Sequence, residues 1–292
     1  MSLKSFVKAL GKALLYFAIY FVWQVIVVNW VSIGATFYVS SGYTDAEMLD
    51  YETMMYEITD RVYEIIDRYA LHITLAAGIL AVLTFVIIFR IRGKKPLAEM
   101  GITKLPVMQI PILILFGLSL NMFISVFLGF IPFPESWIES YNVSNEVFVE
   151  SGRLITLLTT LVCAPIVEEI TFRGLMYSRL CQGMPMFAAM LISSWVFGMV
   201  HGNIIQMCYA ALFGYIFCYI RIKYQSLTAC ICVHFGFNLF TVIGERFGEL
   251  SDRAYYMIML VGAAISLLLL IYIGRYSDNK IQFSIKESVA DE

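Results

Sequence analysis

Long apolar segments, separated by short polar ones, make up most of the chain. A segment of about 20 apolar residues is long enough to cross a bilayer as a helix. The pattern therefore predicts an all-α polytopic membrane protein with about eight transmembrane helices, organised as a single integral membrane domain over residues 1–292. The predicted spans are residues 12–39, 71–91, 105–131, 152–182, 185–202, 203–221, 226–244 and 255–274.

The composition agrees with this pattern. Hydrophobic residues make up 60% of the chain and charged residues 14%. The mean hydropathy is +0.78, and a soluble domain needs more polar surface than this composition provides. The net charge of −2 gives a nucleic-acid partner no electrostatic support. The expected surroundings are the lipid bilayer, and the expected location is the cell membrane.

The charged loops predict the orientation of the chain, because lysine and arginine are enriched in cytoplasmic loops. All lysines fall on one predicted side of the membrane, including Lys4, Lys8 and Lys12 at the start of the chain. The opposite loops, residues 41–70 and 132–153, are rich in aspartate and glutamate. Both termini are therefore predicted to be cytoplasmic, in agreement with an even number of spans.

Residues 41–70 form a predicted acidic extracytoplasmic segment. Apolar residues such as Leu49, Ile58 and Ile65 recur in it at roughly helical spacing. This pattern indicates an amphipathic helix that extends the second span outward. Two roles remain open for it, a solvated acidic helix and a lid over a substrate site.

Two adjacent glutamates lie inside the fourth predicted span, where each ionisable group costs about 2.5–3.5 kcal/mol to insert. Glu168 and Glu169 are followed by Arg173. Residues four apart share a helix face, so Glu169 and Arg173 are predicted to pair. Glu168 is rotated about 100° away from that face. It has no local partner and is free to act as a general base.

Histidine and asparagine side chains lie at a comparable depth in other spans. Counting 1.5 Å per residue, Glu168 and His201 are about 22 and 25 Å from the inner ends of their spans. His234 and Asn238 share one helix face and lie about 12 and 18 Å deep on the same rise. Helix tilt can bring all four to one level.

Each of these residues also has a purely structural interpretation. A lone intramembrane asparagine or histidine is often only an interhelical hydrogen bond, and a Glu–Arg pair can be structural. Their joint occurrence favours a functional cluster, because intramembrane ionisable residues are functional by default. Nearby glycines are predicted to allow close helix approach: Gly174, Gly198, Gly202 and Gly236.

Three short motifs carry a resemblance to a known family. They are EEITFR at residues 168–173, FGMVH at 197–201 and HFGFN at 234–238. In this order they resemble the Glu-Glu-x-x-x-Arg, Phe-x-x-x-His and His-x-x-x-Asn/Asp motifs of the CPBP family. Its members are the CAAX-processing and bacteriocin-processing intramembrane proteases, also called Abi proteins. The resemblance covers about residues 105–245, which would form the protease-like catalytic core.

The resemblance implies an all-helical fold of about eight spans and hydrolysis of a peptide bond inside the membrane. It also implies roles for the polar residues. Glu168 would activate water with the help of His201. His234 and Asn238 would stabilise the developing oxyanion, which fits their donor chemistry.

The resemblance further implies residues that support the site. Glu169 belongs to the implied catalytic set and would order the site together with Arg173, and Phe197 would pack beside it. The implied partner is a membrane-associated peptide or protein substrate. A prenylated protein, a membrane-inserted peptide and a leader peptide all remain open as substrates.

No cofactor is firmly predicted, although zinc remains an alternative. Glu168, His201 and His234 could supply three zinc ligands and leave the fourth position open. A metal-free site is favoured because zinc would occupy the one unpaired carboxylate that is able to act as base.

Other functions use the same fold without hydrolysis. A non-catalytic scaffold or regulator and a bacteriocin self-immunity protein are both compatible with the sequence. A transporter with a proton-relay carboxylate predicts an inverted repeat, and the sequence has no second Glu-Glu segment.

Overall fold

The computed structural model describes residues 2–43, 51–150, 152–244 and 251–277. Within these residues the chain is helical and contains no β-strand, which confirms the all-α fold class. The helices are α1 (Leu3–Ser40), α2 (Tyr51–Arg68), α3 (Ala70–Ile91), α4 (Pro96–Glu99), α5 (Gln109–Leu128), α6 (Glu135–Glu150), α7 (Arg153–Leu180), α8 (Met186–Met199), α9 (Ile204–Tyr224), α10 (Leu227–Gly244) and α11 (Asp252–Ser277).

Seven helices of the described residues are long and apolar enough to cross a membrane, so the chain is a polytopic membrane protein. The remaining predicted span, residues 185–202, corresponds to α8. This helix has 14 residues and is about 21 Å long, whereas the hydrocarbon core is about 30 Å thick. It is short because Pro185 precedes it and a turn begins at Val200.

This turn changes the predicted position of His201, which lies between α8 and α9 rather than inside a span. Gly202 has a φ of +81°, a conformation that glycine adopts readily and other residues adopt rarely. The side chain of Asn203 then accepts a hydrogen bond from the Gln206 N–H at 2.8 Å and caps α9. The short α8 therefore ends in a tight turn that carries a histidine.

Most of the acidic segment that the structure describes is helical, from Tyr51 to Arg68, whereas residues 41–43 form a turn after α1. Residues 44–50, including Leu49, lie outside the described part, as do residues 278–292 of the tail. Helix α2 begins at Tyr51 and meets α3 at Tyr69. The backbone hydrogen bonds continue across this junction, from the Tyr69 N–H to the Ile65 oxygen at 3.1 Å and from the Ile73 N–H to the Tyr69 oxygen at 2.9 Å. The segment is thus a near-continuous extension of α3.

Helix α6 occupies the second acidic loop, at the end of the bundle where α5 ends and α7 begins. It packs against α9 and α2, and the Asn203 side chain donates a hydrogen bond to the Ser144 hydroxyl at 3.2 Å. This end of the bundle is called the α6 end below.

Glycines bring α5 and α10 into backbone contact. A Cβ added at Gly117 would overlap the Val233 oxygen, and one added at Gly236 would overlap the Ile114 oxygen. Gly174 and Gly198 are also closely approached, since an added Cβ would lie 2.7 Å from the Met100 oxygen at Gly174 and 2.5 Å from the Met207 oxygen at Gly198.

The prediction of close approach is wrong for Gly202, which has nothing within 4 Å of an added Cβ. Its positive φ shows that the backbone turn, and not helix packing, calls for glycine at this position.

We expect Gly236→Ala to destabilise the bundle by about 2–3 kcal/mol, because a methyl group forced against a backbone oxygen must push the two helices apart. The measurement is the midpoint of thermal unfolding in detergent. Gly34→Ala in α1 is the matched control, since an added Cβ there meets nothing within 4 Å. Equal midpoints for the two variants would contradict the close packing of α5 on α10.

Candidate active site

A cavity of about 500 Å³ opens among the helices toward the α6 end. The structure places five of the residues singled out from sequence in its walls: Glu168, Phe197, His201, His234 and Asn238. They come from α7, from α8 and the turn after it, and from α10. The cavity thus brings together groups that are up to 70 residues apart in the chain.

The first half of α7 departs from α-helical geometry where it lines this cavity. Leu158–Cys163 form a π-helix, in which each carbonyl accepts from the N–H five residues on. For the Thr160 carbonyl that partner would be Pro165, which has no N–H. The Asn238 side chain takes its place and donates a hydrogen bond to the Thr160 oxygen at 2.8 Å. The wide turn and the proline together therefore tie α10 to α7 at Asn238.

A second π-helix, Glu169–Tyr177, buries the charged pair. The side chains of Glu169 and Arg173 are both 0% exposed, and Arg173 Nη1 donates to Glu169 Oε1 at 3.0 Å. The guanidinium lies 4.0 Å from the Phe197 ring centroid and 5.1 Å from that of Phe217, and aromatic faces stabilise cations. Gly214 makes room for it, since an added Cβ there would lie 2.9 Å from Nη2.

His234 connects the two glutamates. Its Nδ1 lies 2.9 Å from Glu169 Oε1, and its Nε2 lies 3.8 Å from Glu168 Oε2. Because the ion-paired Glu169 carboxylate can only accept, Nδ1 carries the proton of that hydrogen bond. Glu169 therefore sets the orientation of the ring from behind. Glu168, whose side chain is 19% exposed, faces the cavity.

His201 is oriented in the same way by the backbone. Its Nδ1 lies 2.8 Å from the Phe197 carbonyl oxygen, which only accepts hydrogen bonds, so Nδ1 is the donor and Nε2 is left for the cavity. The Phe197 ring packs edge-on against both imidazoles, with centroids 5.0 Å from His201 and 6.2 Å from His234. Phe197 thus separates and positions the two rings.

Other polar groups of the cavity were missed by the sequence analysis. Asn121 of α5 donates to the Phe237 oxygen at 2.6 Å and to Thr241 Oγ1 at 2.9 Å. The Ser125 hydroxyl donates to Asn121 Oδ1. The signal was available, because Asn121 is an amide in the middle of an apolar span, but its partners on α10 cannot be read from local spacing.

The first helix also approaches the site. Tyr20 of α1 and Cys163 of α7 both lie close enough to Glu168 to be influenced by the charge of its carboxylate. The tyrosine ring packs on Phe172 with a centroid distance of 5.9 Å. The surroundings of Glu168 therefore extend beyond the three motifs.

The possible zinc ligands meet only part of what a zinc site requires. Both histidines use Nδ1 for a fixed acceptor and leave Nε2 toward the cavity, as metal-binding histidines commonly do. However, no three His, Cys, Asp or Glu side chains in the described ranges come close enough together to hold a metal ion. As arranged, Glu168, His201 and His234 do not form a zinc site.

Comparisons with known proteins agree with the motifs. Residues 150–240 match the family model described as "Type II CAAX prenyl endopeptidase Rce1-like". The chain is 29% identical over 105 residues to the Bacillus subtilis (strain 168) protein named "Putative membrane peptidase YdiL". That match covers 36% of this chain and 43% of the relative. No solved structure matches the chain.

The matched region contains every element that brings a motif to the cavity. It begins just before α7, includes α8 and α9, and ends within α10 after Asn238. The family model describes a CAAX prenyl endopeptidase and the relative is named as a membrane peptidase, and together with the ordered motifs they support a CPBP family protein of the CAAX protease type.

Proposed function

We propose that the protein is an intramembrane endopeptidase that cleaves a membrane-associated peptide or protein with water activated by Glu168. The proposal is supported mainly by the different surroundings of the two glutamates. Glu169 is fully buried and bonded to Arg173 and His234, whereas Glu168 faces the cavity that both oriented imidazoles also line.

In the proposed first step, the Glu168 carboxylate removes a proton from a water molecule as the water oxygen attacks the scissile carbonyl carbon. His201 Nε2 holds that water. Glu168 then passes the proton to the leaving nitrogen as the C–N bond breaks. A new carboxyl group and a new amine result, and Glu168 is regenerated. One carboxylate serves as general base and then as general acid.

The charge that develops on the carbonyl oxygen needs donors fixed in advance. Asn238 uses one of its two N–H bonds for the Thr160 oxygen, and the second would donate to the oxyanion. His234 would donate from Nε2 to the same oxygen while its Nδ1 remains bonded to Glu169. Glu169, Arg173 and Phe197 would act by holding these groups in place.

The hydrogen bonds of the glutamates support the metal-free form of this mechanism. Oε1 of Glu169 already accepts from Arg173 and His234, so Glu169 would have to give up both contacts to serve as base. A zinc ion bound through Glu168 would therefore remove the carboxylate best placed to activate water.

The test uses the purified full chain in lipid nanodiscs, incubated with a library of membrane-spanning peptides in water enriched in ¹⁸O. We expect internal cleavage with one ¹⁸O atom incorporated into each new carboxyl group, unchanged after dialysis against a chelator. A Glu168→Gln preparation made in parallel controls for contaminating proteases.

Two results would overturn parts of the proposal. Peptides that stay intact across a library of varied sequence and lipid composition would contradict endopeptidase activity and favour the scaffold function. Cleavage that is lost on chelation and restored by zinc would contradict the metal-free mechanism while leaving the endopeptidase activity standing.

A further inference from the structure

The cavity extends well beyond the groups that the proposed mechanism uses. Along α10, Asn238 and Thr241 follow His234 at intervals of four and three residues, and all three line the cavity. At 1.5 Å per residue, Thr241 lies about 10 Å from His234 toward the α6 end. Ser125 and Asn121 of α5 line the same part of the cavity.

In this second group of polar residues, one hydroxyl donor and one hydroxyl acceptor are left without a partner among the described residues. Asn121 is 3% exposed, and its side chain is fully engaged with Phe237, Thr241 and Ser125. Thr241 Oγ1 accepts from Asn121, and its own proton has no acceptor among the described residues. Ser125 donates its proton to Asn121 and keeps its oxygen lone pairs. Asn121 therefore holds one donor and one acceptor side by side.

A peptide that enters a largely apolar cavity requires hydrogen-bond partners for its main chain, and this donor and acceptor could provide them. Main-chain N–H and C=O groups cost several kcal/mol each when they are left unpaired away from water. A segment has to unfold from helical geometry to expose one peptide bond to attack. The described part of the chain contains no β-strand whose edge could receive it, and the polar side chains of the cavity wall are available as partners.

We propose that the Ser125 and Thr241 hydroxyls, positioned by Asn121, form a binding subsite for the main chain of an extended substrate. Thr241 donates to a substrate carbonyl and Ser125 accepts from a substrate N–H. The inference rests on the proposed endopeptidase function and adds the conformation of the bound substrate and the residues that hold it.

The geometry gives the distance of this subsite from the scissile bond. An extended chain rises about 3.3 Å per residue, so about 10 Å along α10 corresponds to roughly three substrate residues. The neighbouring walls are apolar, formed by Ile124, Val126, Phe237 and Ile258. The bound segment is therefore expected to carry apolar side chains and to be recognised through its main chain.

The experiment combines ester substitution in the substrate with two conservative variants of the protein. An ester in place of one amide removes a single N–H from the peptide and leaves its side chains unchanged. A cleaved peptide is scanned with single esters on both sides of the scissile bond. It is tested on the wild type, Ser125→Ala and Thr241→Val, with kcat and KM measured separately.

We expect one ester, two to four residues from the scissile bond on one side, to lower kcat/KM by about five- to tenfold, the effect of one hydrogen bond. Ser125→Ala should show the same loss with the all-amide peptide and no further loss with that ester. Thr241→Val should lower kcat/KM of the all-amide peptide and remain sensitive to the ester, because it removes the other bond.

Ser119→Ala is the matched control. Ser119 lies on the same helix, bonds to Ser266 of α11 at 3.1 Å and does not line the cavity. Ester effects that are equal in the wild type and in Ser125→Ala would overturn the subsite while cleavage itself stands. An all-amide peptide that the wild type fails to cleave would overturn the proposed function instead.

Discussion

Replacing Glu168 with glutamine is expected to lower kcat by about 10²–10⁴-fold, the usual contribution of a positioned general base. Glutamine preserves the shape of the side chain but cannot take up a proton from water. The variant should keep the unfolding midpoint of the wild type, because Glu168 lies in the cavity wall and contributes to neither of the two hydrogen bonds of Glu169.

The kinetic pattern distinguishes this role from substrate binding. A group that acts only in the transition state lowers kcat and kcat/KM equally, whereas a group that binds the ground state raises KM. Glu64→Gln in α2 is the matched control, since Glu64 is exposed and does not line the cavity. A Glu168→Gln enzyme with near wild-type kcat would move the role of base to another group.

The residues of the candidate site could be predicted from the sequence because ionisable side chains cost free energy to insert into a membrane and therefore stand out there. Glu168, Glu169 and Arg173 stand out in an apolar segment, and their spacing correctly indicated that Glu169 pairs with Arg173. The same spacing could not show that His234 joins this pair from another helix, because contacts between helices depend on rotation and tilt.

The π-helical segments of α7 were outside the reach of pattern analysis. Their hydrogen bonds shift by one residue relative to an α-helix, and apolar periodicity changes too little over six to nine residues to reveal it. Pro165 was the available signal, because its missing N–H leaves one carbonyl free in either register. Which carbonyl is freed, and that Asn238 would bind it, depends on the three-dimensional arrangement.

The predicted eighth span shows a different limit. Residues 185–202 are apolar enough for a span, but only 14 of them are helical. His201 lines the cavity and Asn203 is buried, and irregular backbone is tolerated at membrane depth where it is buried or lines a cavity. Hydropathy alone cannot distinguish a span from a short helix that ends at a functional turn.

Removing the buried arginine is expected to have the largest effect on stability. In Arg173→Met the Glu169 carboxylate would remain fully buried without its counter-ion. Its Oε2 atom already has no hydrogen-bond partner in the described structure. Breaking a buried pair from one side typically costs about 3–5 kcal/mol. We expect a correspondingly large fall in the thermal unfolding midpoint, or loss of folded protein from the membrane.

The double variant Glu169→Gln/Arg173→Met tests whether the uncompensated charge is the cause. Without that charge, the thermal unfolding midpoint should return most of the way to the wild-type value, because replacing both partners of a buried pair is often nearly neutral. Methionine can also pack between Phe197 and Phe217. Arg90→Met, at an exposed position of α3, is the control for loss of an arginine. A double variant as unstable as Arg173→Met would show that packing of the guanidinium matters more than its charge.

The same double variant should separate stability from catalysis. Even with the bundle restored, His234 would face an amide in place of the carboxylate that now accepts its Nδ1–H at 2.9 Å. An amide oxygen accepts a weaker hydrogen bond than a carboxylate, so the His234 ring should be held less firmly, and kcat should remain lowered while KM changes little. Recovery of both stability and kcat would contradict the positioning role of Glu169, because the Glu169–Arg173 pair would then serve the fold alone.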